Sequence, residues 1–335
     1  MGCGGLALGR LVAEAIRLGV VFPGQGSQVV GMGADLVSAY PAAAALFDRA
    51  AEIVGYDLLE LCRNGPDERL RETEFSQPAI FVVNSALAAV ALGTEGSAGT
   101  VVVSAGHSFG EYCSLVLAGS LSFDEALALV NARAIAMQDA AERAAGAMAA
   151  ILGLDANAVE AAVDAARANG AGRVSLANFN SPAQIVISGD RAAVRAAGEL
   201  CSQAGAKRVV PLNVSGAWHS ELMQPAVAKF APVVERAKLM PPSFAVISNV
   251  DAQPYRDAEG IKENLIRSVT AEVLWHATAM RLLAEGPDLI VEFGASPVLA
   301  PLLKRLPEAP DVSSVSDRAG VERLRARLQA APVTS

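Results

Sequence analysis

The chain is poor in charge, in cysteine and in basic clusters, and each shortage closes off a class of function. Charged residues make up 19% of the 335 positions, below the ~25% of an average soluble chain. Asp and Glu outnumber Lys and Arg 35 to 27, the net charge is −8, and no basic run exceeds two residues. Such a balance carries no electrostatic footprint for nucleic acid, although it is compatible with a local basic patch for an acidic partner. The four cysteines, Cys3, Cys62, Cys113 and Cys201, lie far apart without CxxC or CxH spacing. That pattern argues against a zinc site and against a disulfide framework, and it fits a reducing cytoplasm.

Membrane and export signals are lacking too. The N-terminal apolar stretch is broken by Arg10, Glu14 and Arg17, too often for a bilayer span, and it lacks the order of a signal peptide. Gly2 begins a myristoylation pattern, but Leu6 stands where Ser or Thr is required. Residues 1–18 therefore read as a short helical or frayed extension. Residues 79–93 are apolar but short, and Asn84 and Ser85 interrupt them.

What the chain has in quantity is apolar residues, 52% of the total, enough for a large core. Its length suits one large domain, or one with a smaller domain inserted. Short apolar runs alternate with longer helical patterns, which predicts α/β layering. Val20–Phe22 reads as a strand stopping at Pro23-Gly24, Val101–Ser104 as another, and Leu289–Phe293 as a third. Helices are expected over about 31–54, 77–92, 122–143, 221–238, 260–269, 275–285, 297–305 and 317–331. Ser122 with Glu125 three residues on is a capping box. Between about 145 and 212 the order is strand, helix, strand, strand, helix, strand, which is ferredoxin-like. The expected division is an extension (1–18), a body (19–144 and 213–310), the insert (145–212), and a C-terminal helix and tail (311–335).

Gly106-His107-Ser108-Phe109-Gly110 is a GxSxG motif between a β-branched strand and a helix pattern. In that context the motif means a nucleophile elbow, a strained turn that exposes the serine hydroxyl. The helix start behind it supplies N–H groups and partial positive charge for an oxyanion. A serine needs a base, and the histidines are His107, His219 and His276. His107 sits on the turn and reads as structural; His276 follows Trp275 in a helix pattern and reads as packed or exposed. By elimination His219, in the small-residue stretch Val214–Ser220, is the base. Gly24-Gln25-Gly26 forms a second loop after a strand, either a wall of an oxyanion hole or a plain turn. Taken alone, Arg133 reads as a solvated helix arginine.

Seven segments in order, FPGQGSQ (22–28), QPAI (77–80), GHSFGEY (106–112), RAIAMQ (133–138), GAMAAI (146–151), NFNSP (178–182) and VSGAWHS (214–220), resemble the malonyl-CoA:acyl carrier protein transacylases. The resemblance runs from about Val20 to about Arg305. It implies an α/β-hydrolase-like body with a ferredoxin-like insert. It implies that Ser108 is acylated, that His219 is general base and then acid, and that the backbone carbonyl of Ser268 orients His219. It assigns the oxyanion hole to the N–H groups of Gln25 and Phe109, the acyl carboxylate to Arg133, and further substrate contacts to Gln77, Asn178 and Trp218. Two positions depart from the usual family residues. Trp218 stands where malonyl-selective relatives carry Phe, a bulkier ring that still favours malonyl over methylmalonyl. Phe109 replaces a more frequent Leu, which leaves its backbone role intact and brings a ring to the pocket.

The implied reaction is ping-pong transfer of malonyl from coenzyme A to the phosphopantetheine thiol of an acyl carrier protein, in fatty acid or polyketide synthesis. No metal or bound cofactor is needed, and a monomer without nucleic-acid or membrane partners is expected. Two other classes stay open at this point: a hydrolase clearing acyl groups from stalled carrier proteins with the same Ser108 and His219, and a non-catalytic docking protein.

Overall fold

The structure, a computed structural model, describes residues 15–93 and 99–330. Among them the strands are, in chain order, β1 (Ile16–Phe22), β2 (Gly99–Gly106), β3 (Gly146–Leu152), β4 (Val174–Ser181), β5 (Gln184–Asp190), β6 (Arg208–Pro211), β7 (Ala245–Ile247), β8 (Leu289–Phe293) and β9 (Asp311–Val315). Five of them form one sheet in the order β7-β2-β1-β8-β9, every neighbouring pair parallel. A parallel sheet is covered on both faces, so its central strands read as unbroken apolar runs. Leu18–Phe22 and all of β8 are buried accordingly. The helix Thr73–Leu92 is, among the described residues, the one long and apolar enough to cross a membrane, and 78% of its most apolar window is buried inside the protein.

The second sheet is antiparallel, in the order β4-β5-β3-β6. The helices Ala156–Ala168 and Arg191–Gln203 bury Val159, Val163, Val194 and Cys201 against Ile151 and Ile187 in a core of its own. This is the ferredoxin-like insert, joined to the α/β body at Gly146 and after Pro211. Its exit leads directly into the stretch carrying His219, so the small layer positions one wall of the site.

Several expectations need correction. The helix over 31–54 is two, Ala34–Ala39 and Pro41–Val54, with Tyr40 extended between them; a residue preceding proline is pushed out of the α region. The helix over 297–305 contracts to Ala300–Leu303. Helices Leu58–Asn64 and Asp67–Arg71 and the three-residue β7 are too short to show a periodic pattern. Residues 311–335 are more than a helix and tail, because Asp311–Val315 completes the edge of the parallel sheet beside β8. At the other end β1 starts at Ile16, inside the expected extension; the helical reading of residues 1–14 lies outside the described residues. The N-cap half of the expected capping box forms, with the Glu125 amide donating to Ser122 Oγ at 3.2 Å, while the Glu125 carboxylate accepts from Ser122 Oγ.

Candidate active site

β1 and β2 are neighbours, and the loops leaving their carboxyl ends meet at one rim of the sheet, where open α/β sheets place their ligands. The β2 loop carries Ser108 at φ 52°. A left-handed conformation is costly for a residue with a side chain and persists only where the surroundings impose it. Here they do. A Cβ on Gly106 would fall 2.0 Å from the Gly110 carbonyl carbon, and one on Gly110 would fall 2.3 Å from the Phe22 carbonyl oxygen. The two motif glycines therefore let the turn fold back on itself and onto β1. The helix Gly110–Leu117 starts immediately behind.

His219 also has a positive φ, 57°, and its Nε2 lies 2.9 Å from Ser108 Oγ. Its Nδ1 lies 3.0 Å from the Ala271 carbonyl oxygen. A carbonyl only accepts, so the proton sits on Nδ1 and Nε2 is left as acceptor for the serine hydroxyl. The carbonyl at hydrogen-bond distance is thus Ala271's rather than the expected Ser268's. The Ser268 carbonyl favours the protonated ring as well, more weakly. Burial and then the Arg133 cation hold the His219 pKa down to about 3, against those two carbonyls. The ring is neutral at pH 7, as a base must be. His107 is bonded through Nε2 to Asn180 Oδ1 at 2.9 Å and lines the same cavity as Ser108 and His219. His276 is half-buried on the helix Trp275–Ala284.

Arg133 is 1% exposed, not solvated. Its Nη1 donates to Gln77 Oε1 at 2.7 Å and its Nη2 to Ser108 Oγ at 3.3 Å. Its buried Nε has no partner, and among the described residues no carboxylate pairs with it. Burial lowers its pKa from the ordinary value, with Tyr112 and Glu111 opposing. A buried guanidinium without a carboxylate partner, beside a serine hydroxyl, is chemically suited to pair with an anion.

These groups line one cavity of about 310 Å³, together with Gln25, Phe109, Asn178 and Trp218. The Gln25 and Phe109 amides come from the two loops, and neither donates to a protein acceptor among the described residues. Asn84 Nδ2 donates to the Pro23 carbonyl at 3.1 Å and Ser27 Oγ to the Gly24 carbonyl at 2.9 Å, which stiffens the Gln25 loop. Trp218 is 5% exposed with its Nε1 unpaired, and the Phe109 ring is packed into the main core. No group of three or more His, Cys, Asp or Glu among the described residues is placed to hold a metal.

Three contributors were missed in the sequence. Asn249 brackets the Ser108 peptide: its Oδ1 accepts the Ser108 amide at 3.2 Å and its Nδ2 donates to the Ser108 carbonyl at 3.0 Å. The buried Glu111 accepts from the Asn249 amide and Nδ2, both at 3.1 Å, and from Tyr255 OH at 2.9 Å. Burial pushes its carboxyl up to about 7 against those donors. Glu111 lies within the GHSFGEY segment, but nothing local to Asn249 or Tyr255 marks them.

Comparison with known proteins identifies the family. Residues 20–325 match the family model for the acyl transferase domain. The chain is 40% identical over 308 residues to the malonyl CoA-acyl carrier protein transacylase of Haemophilus influenzae, covering 90% of this chain and 96% of that protein. It is 40% identical over 309 residues to the polyketide biosynthesis protein ThaF of Burkholderia thailandensis, covering 92% of this chain and 26% of that much longer protein. Among solved structures it resembles a malonyl-transacylase in complex with a type II polyketide synthase acyl-carrier protein. The TM-score is 0.88 at 39% identity, over 93% of this chain and 99% of that one.

Proposed function

The chain belongs to the malonyl-CoA:acyl carrier protein transacylases, acyl transferase domain proteins, and from that premise we propose the part each residue plays. The protein transfers malonyl from malonyl-CoA to the phosphopantetheine thiol of an acyl carrier protein, in fatty acid or polyketide synthesis; its relatives named malonyl CoA-acyl carrier protein transacylase, and the solved malonyl-transacylase in complex with a type II polyketide synthase acyl-carrier protein, support this. His219 Nε2 takes the Ser108 proton as Oγ attacks the thioester carbonyl carbon. The oxygen of the tetrahedral intermediate is met by the Gln25 and Phe109 amides, a contribution commonly worth ~3–4 kcal/mol per donor. The C–S bond breaks, the coenzyme A thiolate takes the proton back from His219, and malonyl remains on Ser108. The carrier thiol then gives its proton to His219 and attacks the acyl-serine; a C–S bond forms, the Oγ–C bond breaks, and Oγ regains the proton. These steps use side chains, backbone amides, the malonyl-CoA thioester and the carrier thiol. We place the reaction in the cytoplasm, where buried, free Cys62, Cys113 and Cys201 stay reduced.

The observation that carries this reading is Arg133: a buried cation with an unused N–H, 3.3 Å from the nucleophile and 2.7 Å from Gln77. It favours an acyl group ending in a carboxylate. Burial first and the Arg133 charge second keep His219 neutral before substrate arrives. Intact-protein mass spectrometry after mixing with malonyl-CoA tests the reading. A malonyl adduct on the wild type that is absent from Ser108→Ala and discharges onto a holo carrier protein is expected. An adduct that persists in Ser108→Ala, or that is lost to water as fast as to the carrier, would replace this reading with non-specific labelling or with the hydrolase.

A further inference from the structure

Three hydrogen bonds in series join the carboxylate grip to the oxyanion loop, and one of the two linking residues, Thr73, belongs to neither. Arg133 Nη1 donates to Gln77 Oε1 at 2.7 Å, Gln77 Nε2 donates to Thr73 Oγ1 at 3.2 Å, and Thr73 Oγ1 donates to Gln25 Oε1 at 2.9 Å. Each direction follows from the one before it. A guanidinium only donates, so it claims the Gln77 oxygen and turns the Gln77 NH₂ toward Thr73. The threonine oxygen accepts that N–H, and its single hydrogen is left for Gln25. Thr73 opens the helix Thr73–Leu92, one turn ahead of Gln77 on the same face. It is fully buried and stands behind the cavity wall formed by Gln25, Gln77 and Arg133.

We propose that Thr73 is a positioning residue that sets the spacing between Arg133 and the Gln25 loop, and so makes the site a ruler for the length of a dicarboxylic acyl group. This rests on the functional reading above. In malonyl, one methylene separates the carboxylate that Arg133 takes from the carbonyl whose oxygen faces the Gln25 amide. Both ends are held only if grip and loop are fixed relative to each other, and small errors in such a fit cost rate rather than binding. Succinyl, one methylene longer, does not fit a fixed spacing. Acetyl has no second end and is indifferent to it. Without the Thr73 hydroxyl, Gln25 Oε1 and Gln77 Nε2 lose their shared partner, and the hydrogen-bonded link between the two walls is broken.

The test is single-turnover acylation of Ser108 by malonyl-, succinyl- and acetyl-CoA in the wild type, Thr73→Val and Thr73→Ser, with unfolding followed in urea. For Thr73→Val the saturated malonyl rate falls about tenfold while the half-saturating concentration stays within about twofold. The malonyl-over-succinyl preference falls by a similar factor, and the acetyl rate, which needs the Gln25 amide but no grip at Arg133, falls several-fold less than the malonyl rate. Thr73→Ser, which keeps the hydroxyl, restores the wild-type pattern. If Thr73→Val does not fold, Thr73→Ala removes the hydroxyl without adding bulk and carries the same comparison. A purely structural Thr73 would lower stability and scale all three rates alike; that result, or an unchanged preference, overturns the proposal. A wild type that takes no malonyl at all overturns the functional reading beneath it, and is told apart because no variant is then needed to see it.

Discussion

Replacing Arg133 by methionine removes a charge that the free protein does not neutralise, while keeping most of the side chain's volume. Arg133 is 1% exposed, makes one short bond to Gln77 and a longer one to Ser108, and has an unpaired Nε. A malonyl carboxylate supplies the missing counter-charge through charge-assisted bonds, and truncating one partner of such a buried pair costs about 2–5 kcal/mol. At about 1.4 kcal/mol per decade, malonyl acylation of Arg133→Met falls by roughly 30- to 4,000-fold. Acetyl-CoA has no carboxylate to lose, and in the wild type it leaves the guanidinium stranded, so its acylation rate holds or rises. Stability moves the other way from activity. Exchanging an uncompensated buried charge for an apolar side chain of similar volume is commonly neutral or stabilising, although Gln77 Oε1 loses its donor. The urea midpoint of the variant therefore lies at or above the wild-type value. The assay is the time course of adduct formation by intact mass, with each thioester in turn, beside an unfolding curve. Equal losses for malonyl and acetyl, or a wild type that never distinguished them, would refute the assignment of Arg133 as a carboxylate reader.

Two further outcomes follow from neighbouring groups. His219 is held at about pKa 3 when folded, below its ordinary 6.5, so between those values the unfolded chain binds a proton that the folded protein refuses. Stability is lost as pH falls through that window, by about 2–3 kcal/mol from pH 6.5 to 4.5. Glu111, raised to about 7, pulls the other way. The quantity to measure is therefore the stability difference between the wild type and His219→Gln, in urea at both pH values; a pH-independent difference defeats the assignment. Asn249→Ala frees the strained Ser108 peptide from both of its side-chain bonds. The acylation rate at saturating malonyl-CoA should drop about 10- to 100-fold, with half-saturation unchanged because Arg133 is untouched. Loss of folded protein with full activity per remaining site would show instead that Asn249 only stabilises.

The strand before Ser108, the helix after it and the glycines around it were legible because each is a local pattern. Alternating layers, the N-cap at Ser122 and the βαββαβ order of residues 146–211 depend on neighbours a few positions apart, and they form as the pattern predicts. His219 was reachable by elimination, since only three histidines exist. The elements that escaped were short or weakly patterned, such as β7, and β9 with its sequence DVSSV.

What only the tertiary structure decided is which of these pieces meet. Ser108 and His219 are 111 positions apart, and Ser108 and Asn249 are 141 apart; no local periodicity encodes either contact. A lone arginine in a helix pattern reads as solvated until packing buries it without a counter-ion, and that burial is what supports the proposal that Arg133 reads a carboxylate. The carbonyl facing His219 Nδ1 is Ala271's because the backbone of residues 268–271 determines which oxygen points at the ring, and side-chain identity has no say in that. Sequence by itself determined the chemistry available to this protein. The distances and burial that give the chemistry its direction came from the fold, because charge and hydrogen bonding depend on surroundings assembled from segments far apart in the chain.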